Sequence, residues 1–100
     1  MMKVPKPGPL TLEEAETIGI RAVGFLAEQP DLLQRFLDLS GLDVADLRSR
    51  VQDPALLGAI LDFILFDETL TRAFAEAAAL APDAPARARS RLPGMAVGDS

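Results

Sequence analysis

The sequence predicts an all-α fold, a compact bundle of five to six short helices. Three observations carry this. Apolar residues recur at helical spacing in one segment after another, no segment sustains a period of two, and cap residues or prolines separate the segments. With 100 residues, 49% hydrophobic and 25% charged, the chain has the balance of one small globular domain.

Residues 1–10 hold three prolines and a glycine, which reads as a flexible arm. The helical domain is expected over residues 11–94, and residues 95–100 read as a disordered tail. Thr11 and Glu14 have the spacing of a capping box at the start of a first helix over residues 12–28. Its apolar arc is Leu12, Ala15, Ile18, Gly19, Ala22, Val23, Phe25 and Leu26, while Ile20 falls on the polar side.

Pro30 suits the first turn of a second helix that ends at Gly41, a natural stop. Leu32, Leu33, Phe36, Leu37 and Leu39 form its apolar arc. Asp43 caps a short third helix over residues 44–51, with Asp46 and Arg50 spaced as an i,i+4 pair. Asp53 and Pro54 open a fourth helix through Phe66. Leu56, Leu57, Ile60, Leu61, Phe63, Ile64, Leu65 and Phe66 cover most of its circumference, which places it at the centre of the bundle. Its soft sector of Ala55, Gly58, Ala59 and Asp62 faces solvent or a close neighbour. A fifth helix over residues 68–79 follows an Asp67 cap, and a sixth starts near residues 81–83 and ends at residues 91–92.

The two halves align at an offset of 38 residues. Phe25 falls on Phe63, Phe36 on Phe74, Leu32 on Leu70, Leu26 on Ile64 and Leu42 on Leu80. After a small gap, Arg48-Ser49-Arg50-Val51 meets Arg89-Ser90-Arg91-Leu92. Each half then reads as a long, a middle and a short helix, too small to bury its own apolar faces.

Composition narrows the chemistry. The chain has no His, Cys, Trp or Tyr. That removes the commonest general base, the thiol nucleophile, thiolate metal ligands and the best stacking side chains. We expect no catalytic residues, no metal and no cofactor, and the protein is not expected to be an enzyme. A net charge of −5 argues against a nucleic-acid partner. The longest apolar run, residues 55–66, is interrupted by Asp62 and falls short of the roughly 20 residues that span a bilayer. With no secretory leader in residues 1–10, a cytoplasmic protein is expected.

Two clusters are candidate sites. Leu57, Leu61, Ile64 and Leu65 are more apolar surface than five short neighbours are expected to cover, and with Asp62 they form a candidate interaction surface. Asp62 itself either marks the solvent side of its helix or takes an arginine from a partner. Arg87, Arg89 and Arg91 form a weak basic cluster, suited to the negative end of their own helix or to an anion.

The strings Leu10-Thr11-Leu12-Glu13-Glu14-Ala15, Phe25-Leu26-Ala27-Glu28, Arg35-Phe36-Leu37, Ser40-Gly41-Leu42-Asp43, Ala45-Asp46-Leu47-Arg48, Leu61-Asp62-Phe63-Ile64-Leu65 and Arg91-Leu92-Pro93-Gly94 bear a further reading. Over residues 10–94 the chain resembles Domain of Unknown Function 3572, a family of small helical proteins from alphaproteobacteria. The resemblance implies an all-helical fold and a bacterial cytoplasm, and it brings no activity and no site residues. Two positions depart from the family pattern: Gln29 stands where an Asp cap is usual, and Val44 where a Pro is usual. Both touch helix caps.

The functional expectation is a small protein-interaction module, with a protein partner or a second copy bound through exposed apolar surface. The alternative is a helical domain with an apolar ligand among Phe25, Phe36, Phe63 and Phe74.

Overall fold

The computed structural model describes residues 10–93, which form six helices and no strand. These are α1 (Leu12–Ala27), α2 (Pro30–Ser40), α3 (Val44–Ser49), α4 (Pro54–Leu65), α5 (Glu68–Ala77) and α6 (Ala84–Arg91). The all-α bundle is therefore as the sequence predicts. Most of the arm and the whole of the tail lie outside the described residues. Leu10, the last residue assigned to the arm, packs against the core.

Local chemistry sets the helix starts. Thr11 Oγ1 accepts from Glu14 N–H at 3.0 Å, and Glu14 Oε1 accepts from Thr11 N–H at 2.9 Å, which closes the capping box. Asp43 and Asp46 make a second box at α3, so the Asp46 carboxylate reaches back to Asp43 N–H (3.2 Å) instead of forward to Arg50. Gln29 gives α2 no side-chain cap. Its amide donates to Phe25 O at 3.3 Å, and Pro30 lacks one of the N–H groups a cap would serve.

Helix α4 is the centre of the molecule. Leu57, Ile60, Leu61 and Ile64 have no exposed surface. It packs against α1, α5 and α6, and α6 also lies against α1. At the α1–α4 crossing, a Cβ on Gly19 would stand 2.7 Å from Leu57 Cβ, so the backbones approach only because Gly19 has none. Positions 19 and 57 are equivalent under the 38-residue offset. Equivalent residues touch one another where a two-fold axis passes between two halves.

The aromatic contacts obey the same relation. Phe25 packs on Phe74 with centroids 5.4 Å apart, and Phe36 on Phe63 at 5.5 Å. Exchanging the halves turns one pair into the other. The chain leaves the middle helices in the same way as well. Gly41 after α2 (φ 77°) and its equivalent Ala79 after α5 (φ 56°) are both left-handed.

The third helices break the symmetry. Helix α6 is wedged against α1 and α4, whereas α3 has few contacts with the other helices. The helix order of the two halves matches, and the placement of the short helix does not.

Candidate functional site: two related grooves

Three of the five residues of the sequence-predicted surface are in the core. Leu57, Leu61 and Ile64 are fully buried, and Leu65 is half-buried. Helices α1, α5 and α6 cover these residues, because α1 approaches closely at Gly19 and α6 packs over the soft sector at Gly58. Within that sector Asp62 is exposed, and it pairs within its own chain. Its Oδ1 accepts from Arg89 Nε at 2.6 Å. Arg89 Nη1 also donates to Leu92 O at 2.9 Å. A Cβ on Gly58 would meet Pro93 O at 2.8 Å and Arg89 Nη1 at 3.3 Å. Gly58 is thus the flat seat on which Arg89 ties α4 to the end of α6.

The basic cluster is divided by this clamp. Arg87 stands 3.9 Å from Asp83 at the N-cap of its own helix, Arg89 turns inward to Asp62, and Arg91 is exposed in the last turn. The three do not converge on one point.

The exposed apolar side chains that matter lie elsewhere. Phe66 is 93% exposed and Leu39 73% exposed, although periodicity assigned both to buried faces. They flank an open groove of about 800 Å³. It is lined by Arg35, Phe36, Leu39 and Ser40 of α2, by Ala59, Asp62, Phe63 and Phe66 of α4 and its C-cap, and by Asp67, Glu68 and Leu70 at the start of α5. Phe66 is outside because α4 stops at Leu65 and the chain turns, with Asp67 accepting from Thr69 and Leu70 N–H to start α5.

A smaller groove of about 280 Å³ lies between α1 and the end of α5. Its lining is Arg21, Gly24, Phe25, Glu28, Phe74, Ala77 and Ala78. Shifted by 38 positions, all seven fall on lining residues of the larger groove. The two grooves are one feature built twice. They differ in what fills them: Arg21 occupies the place of Ala59, Gly24 of Asp62, and Glu28 of Phe66, with Ala77 in place of Leu39. Arg21 Nη1 donates to Ala78 O at 3.2 Å, so in the smaller groove an arginine of α1 is tied to the end of α5.

The four phenylalanines expected around one ligand therefore form two separate pairs, each contributing to its own groove. Periodicity does not reveal the larger groove; the one sequence signal at it is that the offset sets Phe66 against Glu28 and Leu39 against Ala77.

A family model described as Protein of unknown function (DUF3572) matches residues 12–95. The chain belongs to this family. No curated protein and no solved structure matches it. The match spans both grooves and the Asp62–Arg89 clamp, so each lies within the family's own domain. Among the described residues, no helix is long and apolar enough to cross a membrane.

Proposed function

We propose that the protein is a small non-catalytic interaction module of the cytoplasm, with the larger groove as its contact surface. One observation carries this: a nearly fully exposed Phe66 and a largely exposed Leu39 both line one apolar groove. Scattered exposed apolar residues are ordinary, but an aromatic and an aliphatic side chain flanking one concavity form a binding surface. Neither residue is needed to fill the core, so their position is not explained by stability. A protein partner is the first expectation, with self-association the other protein-mediated form. The net charge of −5 disfavours nucleic acid.

The test compares the full chain with F66S and L39S. Both substitutions are on exposed surface and should change stability by no more than about 0.5 kcal/mol. Proteins retained from the native host by the wild type should be lost from both variants. Light scattering on the same three proteins reads self-association. Identical capture by wild type and variants, with a monomer throughout, would place the function away from this groove.

The groove volume also suits a small apolar molecule, since such sites run to roughly 300–1,000 Å³. Native mass spectrometry of the purified protein separates this second reading. A bound small molecule lost in F66S would establish it.

A further inference from the structure

We infer that the occupant of the larger groove is an amphipathic helix of another protein, and that it carries an arginine or lysine to the C-terminal end of α2. This rests on the reading of the groove as a protein-contact surface and adds the chemistry of the partner.

The smaller groove is the internal template. A helix C-terminus carries a partial negative charge and unpaired carbonyl groups, so it favours a cation. Neither α2 nor α5 has a basic residue in its last turn. For α5 the cation comes from another helix, where Arg21 of α1 reaches Ala78 O. The equivalent of Arg21 is Ala59, whose methyl group cannot reach the equivalent carbonyl at Ser40. The larger groove has the same helix end, and Arg35, which also lines it, makes no hydrogen bond to Ser40 O of the kind Arg21 makes to Ala78 O.

Charge points the same way. The smaller groove is lined by one guanidinium and one carboxylate, Arg21 and Glu28. The larger one has Arg35 against three carboxylates, Asp62, Asp67 and Glu68. Asp62 is bound to Arg89, yet its side chain stays 58% exposed. Glu68 lies 3.7 Å from Arg72 with both side chains largely in water, a pairing too weak to neutralise it for a visitor. The surface therefore presents an apolar strip beside an acidic rim. A second copy of this chain would bring two such rims together on molecules of charge −5.

The fold selects a helix over an extended segment. The groove lies between helices, and no strand exists among the described residues to pair with an extended backbone. A bound helix satisfies its own backbone and offers apolar residues at i, i+3, i+4 and i+7 to the strip.

The experiment is a selection from a displayed library of helix-forming peptides against the full chain. Enriched peptides are then titrated by fluorescence anisotropy against wild type and A59R. The introduced arginine copies Arg21 and should occupy the groove from within. Support consists of peptides that carry Arg or Lys beside their apolar positions, and bind A59R at least about tenfold more weakly than wild type. Replacing that basic residue by Gln should also cost about tenfold. Groove-dependent peptides with no basic residue would overturn the inference and leave the interaction reading standing. So would a wild-type dimer, seen by sedimentation, that A59R dissociates. Peptides that bind A59R and wild type equally would overturn both. A thermal melt checks that A59R folds, and F66E, on an exposed residue, blocks the same groove should A59R fail to fold.

Discussion

The first half of this chain and the second half share an apolar frame and differ in their polar contacts. Phe25–Phe74 and Phe36–Phe63 exchange under the 38-residue offset, the long helices cross at the equivalent positions 19 and 57, and both middle helices end in a left-handed residue. The third helices diverge for a nameable reason. In the second half Asp62 receives Arg89, and Gly58 gives it room. The equivalent positions in the first half are Gly24, with no carboxylate, and Ile20, which is 42% exposed. Arg48, the counterpart of Arg89, has nothing equivalent to grip, and α3 stays peripheral. Apolar spacing thus sets the shared architecture, while a few polar or missing side chains decide which helix docks and what lines each groove.

The strongest test of the shared frame is F74A beside F36A. The two rings are 1% and 3% exposed, and each packs on a half-buried phenylalanine of the other half. Loss of a buried Phe side chain costs about 3–5 kcal/mol. Both variants should unfold far earlier in urea, with F36A toward the lower end because its ring borders the open groove, where the site can relax. A cost below about 1 kcal/mol for either one would break the equivalence.

A middle-sized effect separates the third helices. Arg89 has a side chain only 21% exposed, with charged hydrogen bonds to Asp62 and to Leu92 O. R89A should cost about 1–2 kcal/mol, below the full value of such bonds because Asp62 remains partly in water. R48A, at the exposed counterpart, should stay within about 0.5 kcal/mol of wild type. Thermal denaturation reads both. Equal losses would mean that α3 is held as firmly as α6, and the explanation through Asp62 and Gly24 would fail.

Helix positions, caps and the central place of α4 were legible because they rest on local spacing. Thr11, Asp43, Asp53 and Asp67 all cap the helices they precede. The interaction surface was not legible in the same way. Periodicity says which residues share a face, not which faces find a neighbour. Leu57, Leu61 and Ile64 found neighbours through the glycine contact at position 19 and through α6. Leu39 and Phe66 did not, since Leu39 faces a gap between helices and Phe66 lies past the end of its own. Asp62 was recognisable as unusual, but its partner lies 27 residues away, beyond the reach of local patterns.

The smallest effect tests the turns. Gly41 and Ala79 occupy equivalent left-handed positions, with φ of 77° and 56°. At Ala79 the turn is held by Leu80 N–H donating to Ala75 O at 2.8 Å and Ala79 N–H to Glu76 O at 3.2 Å, so its backbone conformation is fixed by the helix end. An L-residue with a Cβ pays about 1–2 kcal/mol there, and glycine pays nothing. Glycine is also freer in the unfolded chain, which returns about 0.4–1 kcal/mol of that gain. A79G should therefore stabilise the protein by about 0.5–1 kcal/mol, and G41A, where no neighbouring atom crowds a new Cβ, should destabilise it by a similar amount. Opposite signs from two urea titrations would establish that both halves turn in the same way. If both substitutions destabilise, Ala79 is held by contacts a glycine cannot replace, and the turns belong with the third helices among the places where the halves diverged.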